Sequence, residues 1–314
     1  MQQRRIGQSE LMVSSLAFGG NVVGWTINEK QSFQILDAFV AGGFNFIDTA
    51  DIYSRWASGM GGESETILGN WMKARGNRQN LIIATKVGMD MGNGKIGLSK
   101  KYIIQAVEDS LKRLQTSYID LYQSHKDDEH TPVTDTLQAY QQLIKDGKVR
   151  VIGASNFSPQ RLQASLDAAS SYGLPRYQCL QPHYNLCERN LFEGDLENIC
   201  LKNTLGVIPY YSLASGFLSG KYRTAADSSK SVRGRGADKY LNEKGFRILH
   251  ALDEISSQHK TKPASVALAW SMARPSVTAP IASATSLAQL NELMAAATLS
   301  LRPQEISLLN SASD

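Results

Sequence analysis

The sequence predicts an α/β protein built as a closed (β/α)8 (TIM) barrel, and three observations lead to it. Eight short apolar stretches recur along the 314 residues, and each is followed by a stretch of helical periodicity. Parallel strands need helical crossovers of this kind, and eight of them favour a barrel over an open sheet. No G-x-G-x-x-G follows the first apolar stretch, which counts against the open dinucleotide-binding sheet, the alternative fold. We expect a single domain over residues 1–314, with an N-terminal β-hairpin and C-terminal helices.

A hairpin is expected first, because turn-forming residues 7–10 separate two short β-like runs within residues 3–13. The barrel strands are predicted at residues 16–18, 44–48, 81–86, 118–124, 149–154, 179–181, 206–210 and 278–282. The helices are predicted at residues 30–41, 64–73, 99–114, 131–145, from 158 onward, 192–203, 242–258 and 263–273, before two terminal helices. Residues 215–238 are polar and rich in Gly, Ser and Arg, which predicts a long loop.

Start and stop signals support these helices. Ser99 precedes apolar residues at helical spacing (Ile103, Val107, Leu111 and Leu114), which predicts an amphipathic helix. Prolines early in the first turn open two further helices, where a missing N–H costs nothing. A glycine pair ends the first helix, as glycine commonly does at a C-terminus.

Composition excludes several classes of protein. The chain is 42% hydrophobic and 20% charged, which is ordinary for a globular protein, and its 33 basic and 29 acidic residues are too scattered for a nucleic-acid partner. Cys179, Cys187 and Cys200 are too few and too unevenly spaced for a disulfide framework or a CxxC metal site. Neither a signal segment nor a run of 18 apolar residues is visible, so we expect a cytoplasmic protein with no membrane partner. The oligomeric state is left open.

Four ionisable residues fall at or just beyond the ends of neighbouring predicted strands: Asp48, Tyr53, Lys86 and His125. Each alone has an ordinary structural explanation, but active sites of barrels lie where the carboxyl ends of the strands meet. A tyrosine is a poor acid at neutral pH, and a nearby ammonium should lower its pKa. These groups therefore predict proton donation to a carbonyl oxygen, with a nicotinamide supplying hydride at the carbon.

Several motifs resemble those of the aldo-keto reductases. Residues 43–50, followed by a tyrosine and by residues 65–69, resemble the signature of that family, and residues 83–86 and 122–125 are similar to its third- and fourth-strand motifs. The resemblance extends from about residue 4 to residue 293. It implies the barrel with an N-terminal hairpin and a catalytic tetrad of Asp48, Tyr53, Lys86 and His125.

The same resemblance implies NADP(H) as the cofactor. Residues 153–158 resemble the family's fifth-strand motif, so Ser155 and Asn156, with Gln181 on the sixth strand, are expected to hold the nicotinamide carboxamide. Tyr210 is expected to stack against the nicotinamide ring. Asp48 belongs to both the catalytic and the cofactor set.

The next motif, residues 210–222, resembles the family's pyrophosphate loop, with Tyr211 and Ser212 in place of Ser and Pro. Backbone N–H groups do the binding there, so the role should survive the replacement. The residues assigned to this loop are Tyr210, Tyr211, Ser212, Leu213, Ala214, Gly216 and Lys221. Arg233 and Arg235 in the following loop are further candidates.

Residues 280–289 are similar to the stretch that lies near the adenosine 2′-phosphate, where Ser283, Thr285 and Gln289 are expected. Many members carry a basic residue at the place of Thr285, and the family's following Asn is Leu293 here. Members similar to the potassium-channel β subunits have a small hydroxyl residue there and use NADPH. NADP(H) is therefore expected, and use of NAD(H) as well is left open.

Two other functions stay open. The channel β subunits are regulatory NADP(H)-binding proteins that keep the same tetrad. Lys86 at a strand end is also compatible with a Schiff-base aldolase, although Asp48 beside it should keep the amine protonated.

The substrate predicted is a small carbonyl compound. Trp25, Trp56, Met60, Met89 and the loop 126–130 are expected to line the mouth of the barrel, which favours an apolar or aromatic aldehyde or ketone. The segment after the last strand is short and helical, so we expect an open site that accepts many small aldehydes.

Overall fold

An eight-stranded parallel sheet forms the centre of the computed structural model, which describes residues 3–232 and 234–314. The barrel strands are β3 (Ala17–Gly19), β4 (Phe46–Asp48), β5 (Ile82–Val87), β6 (Ile119–Ser124), β7 (Val149–Ser155), β8 (Cys179–Gln181), β9 (Gly206–Val207) and β10 (Ile281–Ala282), in the order β10-β3-β4-β5-β6-β7-β8-β9. Thr278 N donates to Val207 O and Ile281 N to Pro209 O, both at 2.8 Å. These bonds join the two ends of the sheet, which confirms the predicted (β/α)8 barrel.

Helices surround the sheet. They are α1 (Glu29–Ala41), α2 (Arg55–Ser58), α3 (Glu63–Arg75), α4 (Lys100–Leu114), α5 (Val133–Lys145), α6 (Pro159–Tyr172), α7 (Asp195–Lys202), α8 (Glu243–Gln258), α9 (Pro263–Met272), α10 (Leu287–Ala295) and α11 (Pro303–Ala312). Side chains of Asn28, Ser99 and Ser158 accept hydrogen bonds from the first turns of α1, α4 and α6, as helix caps do. In the two described ranges, no helix is both long and apolar enough to cross a membrane.

The predicted hairpin closes the amino-terminal end of the barrel. Strands β1 (Gln3–Arg5) and β2 (Met12–Ser14) pair antiparallel. Ile6, Leu11 and Val13 are buried against side chains from the barrel interior. The hairpin therefore fills the end of the barrel opposite to the one where the strands finish.

Some element boundaries differ from the prediction. The last two strands are shorter than expected, because Pro209 and Pro280 have no N–H to donate to the ladder. The predicted loop 215–238 contains 3₁₀ turns over Ala214–Ser219, Ala225–Lys230 and Gly234–Tyr240. Helix α7 begins later than residue 192, after a 3₁₀ turn at Arg189–Leu191, and the short helix α2 was not predicted.

A buried polar cluster lies between the barrel and helices α3 and α4. Glu65 accepts hydrogen bonds from Thr85 Oγ1 at 2.6 Å and from Arg113 Nε at 2.7 Å, and the side chain of Glu65 is fully buried. Asp51 is 2% exposed, and its Oδ1 has no hydrogen-bond partner among the described residues. Burial and the neighbouring Glu65 carboxylate raise the pKa of Asp51 to about 8.

The raised pKa of Asp51 predicts a pH-dependent cost to stability. The folded protein holds a proton on Asp51 that the unfolded chain, with an ordinary pKa of 3.8, has already released. The free energy of unfolding should therefore fall as pH rises from about 4 to about 8, at up to about 1.4 kcal/mol per pH unit. Asp51→Asn removes this titration, so urea unfolding at pH 5, 6, 7 and 8 should show a growing stability advantage of the variant over the wild type.

Asp253→Asn serves as the matched control for this prediction, because the Asp253 carboxylate lies at the surface beside Arg223. Its stability difference from the wild type should stay constant between pH 5 and pH 8. An equally constant difference for Asp51→Asn would contradict the raised pKa.

Candidate active site

Three of the four predicted catalytic side chains form one hydrogen-bonded chain at the carboxyl end of the barrel. The buried Lys86 Nζ donates to Asp48 Oδ2 at 2.6 Å, to Thr49 O at 2.7 Å and to Tyr53 OH at 2.9 Å. Strand β4 ends at Asp48 and strand β5 carries Lys86, so adjacent strands bring the two charges together. With all three ammonium hydrogens used, the Tyr53 hydroxyl keeps its own proton for another acceptor.

The acidity of Tyr53 differs from the sequence-based expectation. Burial raises the pKa of Tyr53 to about 12, although the Lys86 ammonium acts in the opposite direction. Lys86 thus lowers the pKa of Tyr53 as predicted, but the loss of solvent outweighs this effect, so the net pKa lies above the ordinary value of 10. At neutral pH Tyr53 is a protonated phenol, which is the form that can donate a proton.

Lys86 is held as a cation. Burial alone would disfavour the ammonium, but the Asp48 carboxylate and Tyr53 outweigh it and raise the pKa of Lys86 above its ordinary value. An amine must be deprotonated to attack a carbonyl carbon. This pKa and the three hydrogen bonds of Lys86 argue against a Schiff-base aldolase.

His125 follows strand β6 and faces Tyr53, with ring centroids 6.0 Å apart. Burial and the nearby Lys86 charge lower the pKa of His125 well below its ordinary value, so the imidazole is neutral at neutral pH. Its Nδ1 is buried without a hydrogen-bond partner in the described part of the chain. Nε2 is therefore the nitrogen able to bond to a carbonyl oxygen in the cleft.

Gln123 belongs to the site but was not among the predicted residues. It is fully buried on β6, and its Nε2 donates to Asp48 Oδ1 at 3.2 Å. Gln181 Nε2 donates to the same oxygen at 2.9 Å. The signal in the sequence was a side-chain amide two residues before His125, at the spacing that places both residues on the same face of a strand.

A cleft of about 1090 Å³ opens beside these groups. The predicted site residues that line it are Asp48, Tyr53, His125, Tyr210, Tyr211, Ser212, Leu213, Gly216, Lys221, Ser283, Thr285 and Gln289. Those outside its lining are Lys86, Ser155, Asn156, Gln181 and Ala214. The predicted Arg233 lies outside the described residues.

The residues expected around a nicotinamide are linked to each other and to the tetrad. Asn156 Nδ2 donates to His125 O at 2.9 Å, and Asn156 Oδ1 accepts from Tyr210 OH at 2.7 Å. Ser155 Oγ donates to Gln181 O at 2.9 Å. The prediction thus grouped side chains that are neighbours in the structure, and their contact with a ligand stays a prediction.

The predicted pyrophosphate loop has an unusual backbone. Tyr211, Ala214, Ser215 and Gly216 all have positive φ, between 48° and 92°. Two of the backbone N–H groups that were predicted to bind phosphate are already used within the loop. The N–H groups of Ala214 and Gly216 donate to carbonyl oxygens of the loop at 2.7 and 2.8 Å. The amides that remain as candidates for phosphate binding are therefore those of Tyr211, Ser212, Leu213 and Ser215.

The charges along the cleft suit an elongated anion. Lys221, Lys230 and Lys262 line it, and the acidic residues among the described lining residues are Asp48 and Glu292. The lining of this cleft therefore combines cationic side chains with aromatic rings. Among the described residues, no group of three or more His, Cys, Asp or Glu is placed to hold a metal ion.

Aromatic side chains form the wall next to Tyr53. Trp25 and Trp56 line the cleft as predicted, with their rings 5.4 Å apart in an edge-to-face arrangement. Met60, Met89 and the loop 126–130 are not among the residues that line this cleft, so their contact with a substrate stays a prediction. Met60 instead points outward from the short helix region and is 73% exposed.

Barrel enzymes carry their reacting groups at the carboxyl ends of the strands. Here a phenol bonded to a buried ammonium stands at the head of a long cleft, where it can protonate a carbonyl oxygen. Fold and site together define a (β/α)8 barrel protein with a candidate proton donor at the carboxyl ends of its strands.

Comparison with known proteins identifies the family of this chain. A family model described as "Aldo/keto reductase family" matches residues 15–314, so the chain belongs to the aldo/keto reductase family. The chain is 34% identical to "Uncharacterized oxidoreductase YrpG" of Bacillus subtilis (strain 168), over 99% of this chain and 95% of that protein. It is 33% identical to "Protein tas" of Escherichia coli (strain K12), over 92% of this chain and 91% of that protein. It is also 32% identical to "Probable voltage-gated potassium channel subunit beta" of Oryza sativa subsp. japonica, over 94% of this chain and 91% of that protein.

Proposed function

We propose that this protein reduces aldehydes and ketones to alcohols with NADPH. The observation that carries the proposal is the hydrogen-bonded chain from Asp48 through Lys86 to Tyr53, which ends at the cleft. A protonated phenol backed by a fixed ammonium is suited to donating a proton to a carbonyl oxygen as negative charge develops there.

In this mechanism Tyr53 is the general acid. As Tyr53 releases its proton to the carbonyl oxygen, the 2.9 Å bond from Lys86 stabilises the phenolate that forms. Asp48 keeps Lys86 charged and aimed, and the neutral His125 donates from Nε2 to orient the carbonyl. When bound, a reduced nicotinamide would supply the hydride for the carbon.

The cofactor residues proposed follow the cleft from this end outward. Ser155, Asn156, Gln181 and Tyr210 hold the nicotinamide, and the loop from Tyr211 to Gly216 with Lys221 binds the phosphates. Ser283, Thr285 and Gln289 bind the adenosine end, and Arg233 remains a proposed contact there. The lysines of the cleft support NADP(H), whereas Thr285 in place of a basic residue leaves NAD(H) open.

One observation supports a second candidate function. A relative of 32% identity is named as a probable potassium channel β subunit, so a regulatory subunit that binds NADP(H) is the alternative. The two candidates differ in whether bound nucleotide is consumed in the presence of a carbonyl substrate.

The test is a titration of the purified protein with NADPH and then NADH, followed by nicotinamide fluorescence, before a reactive aromatic aldehyde is added. Tight NADPH binding and loss of its fluorescence on adding aldehyde are expected. Binding without consumption across a panel of aldehydes would favour the regulatory candidate. Failure to bind either nucleotide would refute both.

A further inference from the structure

The buried amide of Gln123 lies between two residues of the proposed site. The register of strands β5 and β6 places Gln123 opposite Lys86, on the side of Lys86 away from strand β4. Its Nε2 donates to Asp48 Oδ1 at 3.2 Å, and its Oε1 accepts from Gln181 Nε2 at 3.2 Å. Gln181 also donates to Asp48 Oδ1, so Gln123, Asp48 and Gln181 form a closed triangle of hydrogen bonds.

The chemistry of Asp48 decides how both amides are oriented. Asp48 forms a buried ion pair with Lys86 at 2.6 Å, so its carboxylate is an acceptor only. Gln123 and Gln181 must therefore both turn their NH2 groups toward Asp48 Oδ1. The oxygen of Gln123 then faces the second hydrogen of the Gln181 amide, which it accepts.

This arrangement has a consequence for Gln181. Both hydrogens of its side-chain amide are used within the protein, one by Asp48 and one by Gln123. The carbonyl oxygen is left to meet a ligand. An acceptor at that position is complementary to the NH2 group of a nicotinamide carboxamide.

We propose that Gln123 is a positioning residue. It fixes the amide of Gln181 so that the amide oxygen faces the nicotinamide carboxamide, and its bond to Asp48 Oδ1 holds the carboxylate so that Oδ2 accepts from Lys86. The inference rests on the proposed function, because it presupposes a nicotinamide in the cleft. Without Gln123, the Gln181 amide is free to turn over and Asp48 loses one of its two amide donors.

Gln123→Met tests this positioning role, because methionine has a side chain of similar length and volume but makes neither of the two hydrogen bonds of Gln123. We expect the Kd for NADPH, measured by fluorescence titration, to rise about tenfold, as the loss of one oriented buried hydrogen bond predicts. The reduced 3-acetylpyridine analogue of NADPH carries a methyl group in place of the carboxamide NH2. Its Kd should change much less, because it has no hydrogen to give to Gln181.

Gln123→Glu gives a pH readout that a purely structural role would not produce. At low pH the introduced carboxyl is protonated, so it can donate to Asp48 and accept from Gln181 as the glutamine does. At higher pH it ionises and repels Asp48. NADPH affinity should therefore approach that of the wild type near pH 5 and fall as pH rises, whereas the wild type and Gln123→Met should show no such fall.

Ser124→Ala is the matched control on the same strand. Ser124 is equally buried, but its hydroxyl bonds to Tyr140 and Tyr177 on the outer side of the barrel, so the variant should bind both nucleotides as the wild type does. Equal losses for NADPH and the acetylpyridine analogue, or a Gln123→Glu affinity independent of pH, would overturn the role of Gln123 while leaving the proposed function intact. Absence of NADPH binding by the wild type would instead refute the proposed function itself.

Discussion

Tyr53→Phe is expected to lower kcat for aldehyde reduction by about 10²–10⁴-fold, the usual contribution of a positioned general acid. Phenylalanine keeps the ring that packs 5.9 Å from Trp56 but has no proton to give to the carbonyl oxygen. Lys86 keeps its bonds to Asp48 and Thr49. The Kd for NADPH should therefore stay close to that of the wild type, and steady-state kinetics together with a fluorescence titration measure both quantities.

The control for this variant is Tyr172→Phe, which removes a hydroxyl from a tyrosine that is 69% exposed on the outer surface. Its kinetics should match those of the wild type. If Tyr53→Phe turned over at the wild-type rate, Tyr53 would not be the acid.

Lys86→Met is expected to cost at least as much turnover as Tyr53→Phe and to destabilise the fold as well. Without the ammonium, nothing offsets the burial of Tyr53, so the phenolate that forms during proton donation is unsupported. Removing one partner of a buried ion pair leaves Asp48 as an uncompensated charge, which costs about 3–5 kcal/mol of unfolding free energy. Turnover measurements and urea unfolding test the two effects separately.

The matched control is Lys148→Met, the same substitution at a surface lysine that pairs with Glu108. Exposed pairs contribute little, so turnover and stability should change little. A Lys86→Met protein with wild-type rates would remove the ammonium from the mechanism. Normal stability with lost turnover would show that Asp48 tolerates the loss of its partner through the amides of Gln123 and Gln181.

The fold was predictable because its signals are local. Alternation of apolar strands with amphipathic helices was enough to count eight units, and caps such as Ser99 and Ser158 placed helix starts within two residues. Boundaries failed where the outcome depended on neighbours in space. The last two strands shortened around prolines, and the segment 215–238 formed 3₁₀ turns, one of which is capped by Asp227 accepting from Thr224.

Much of the candidate site was also predictable. Asp48, Tyr53, Lys86 and His125 lie at or just beyond strand ends, and the ends of parallel strands in a barrel necessarily converge, so sequence position alone brought them together. The role of Gln123 was not predicted, because it depends on the register between strands β5 and β6. That register places Gln123 opposite Lys86, which is far from it in the sequence.

The sequence by itself determined the order of the barrel strands and main helices, the family, and the placing of the four ionisable side chains at the strand ends, since all of these depend on local pattern. Only the tertiary structure decided the properties that depend on solvent access and direction. Burial, which no local pattern measures, moved the pKa of Tyr53 up when the neighbouring charge alone predicted a fall. The orientation of the Gln181 amide likewise follows from Asp48 and Gln123, which lie on other strands and meet it only after the barrel has closed.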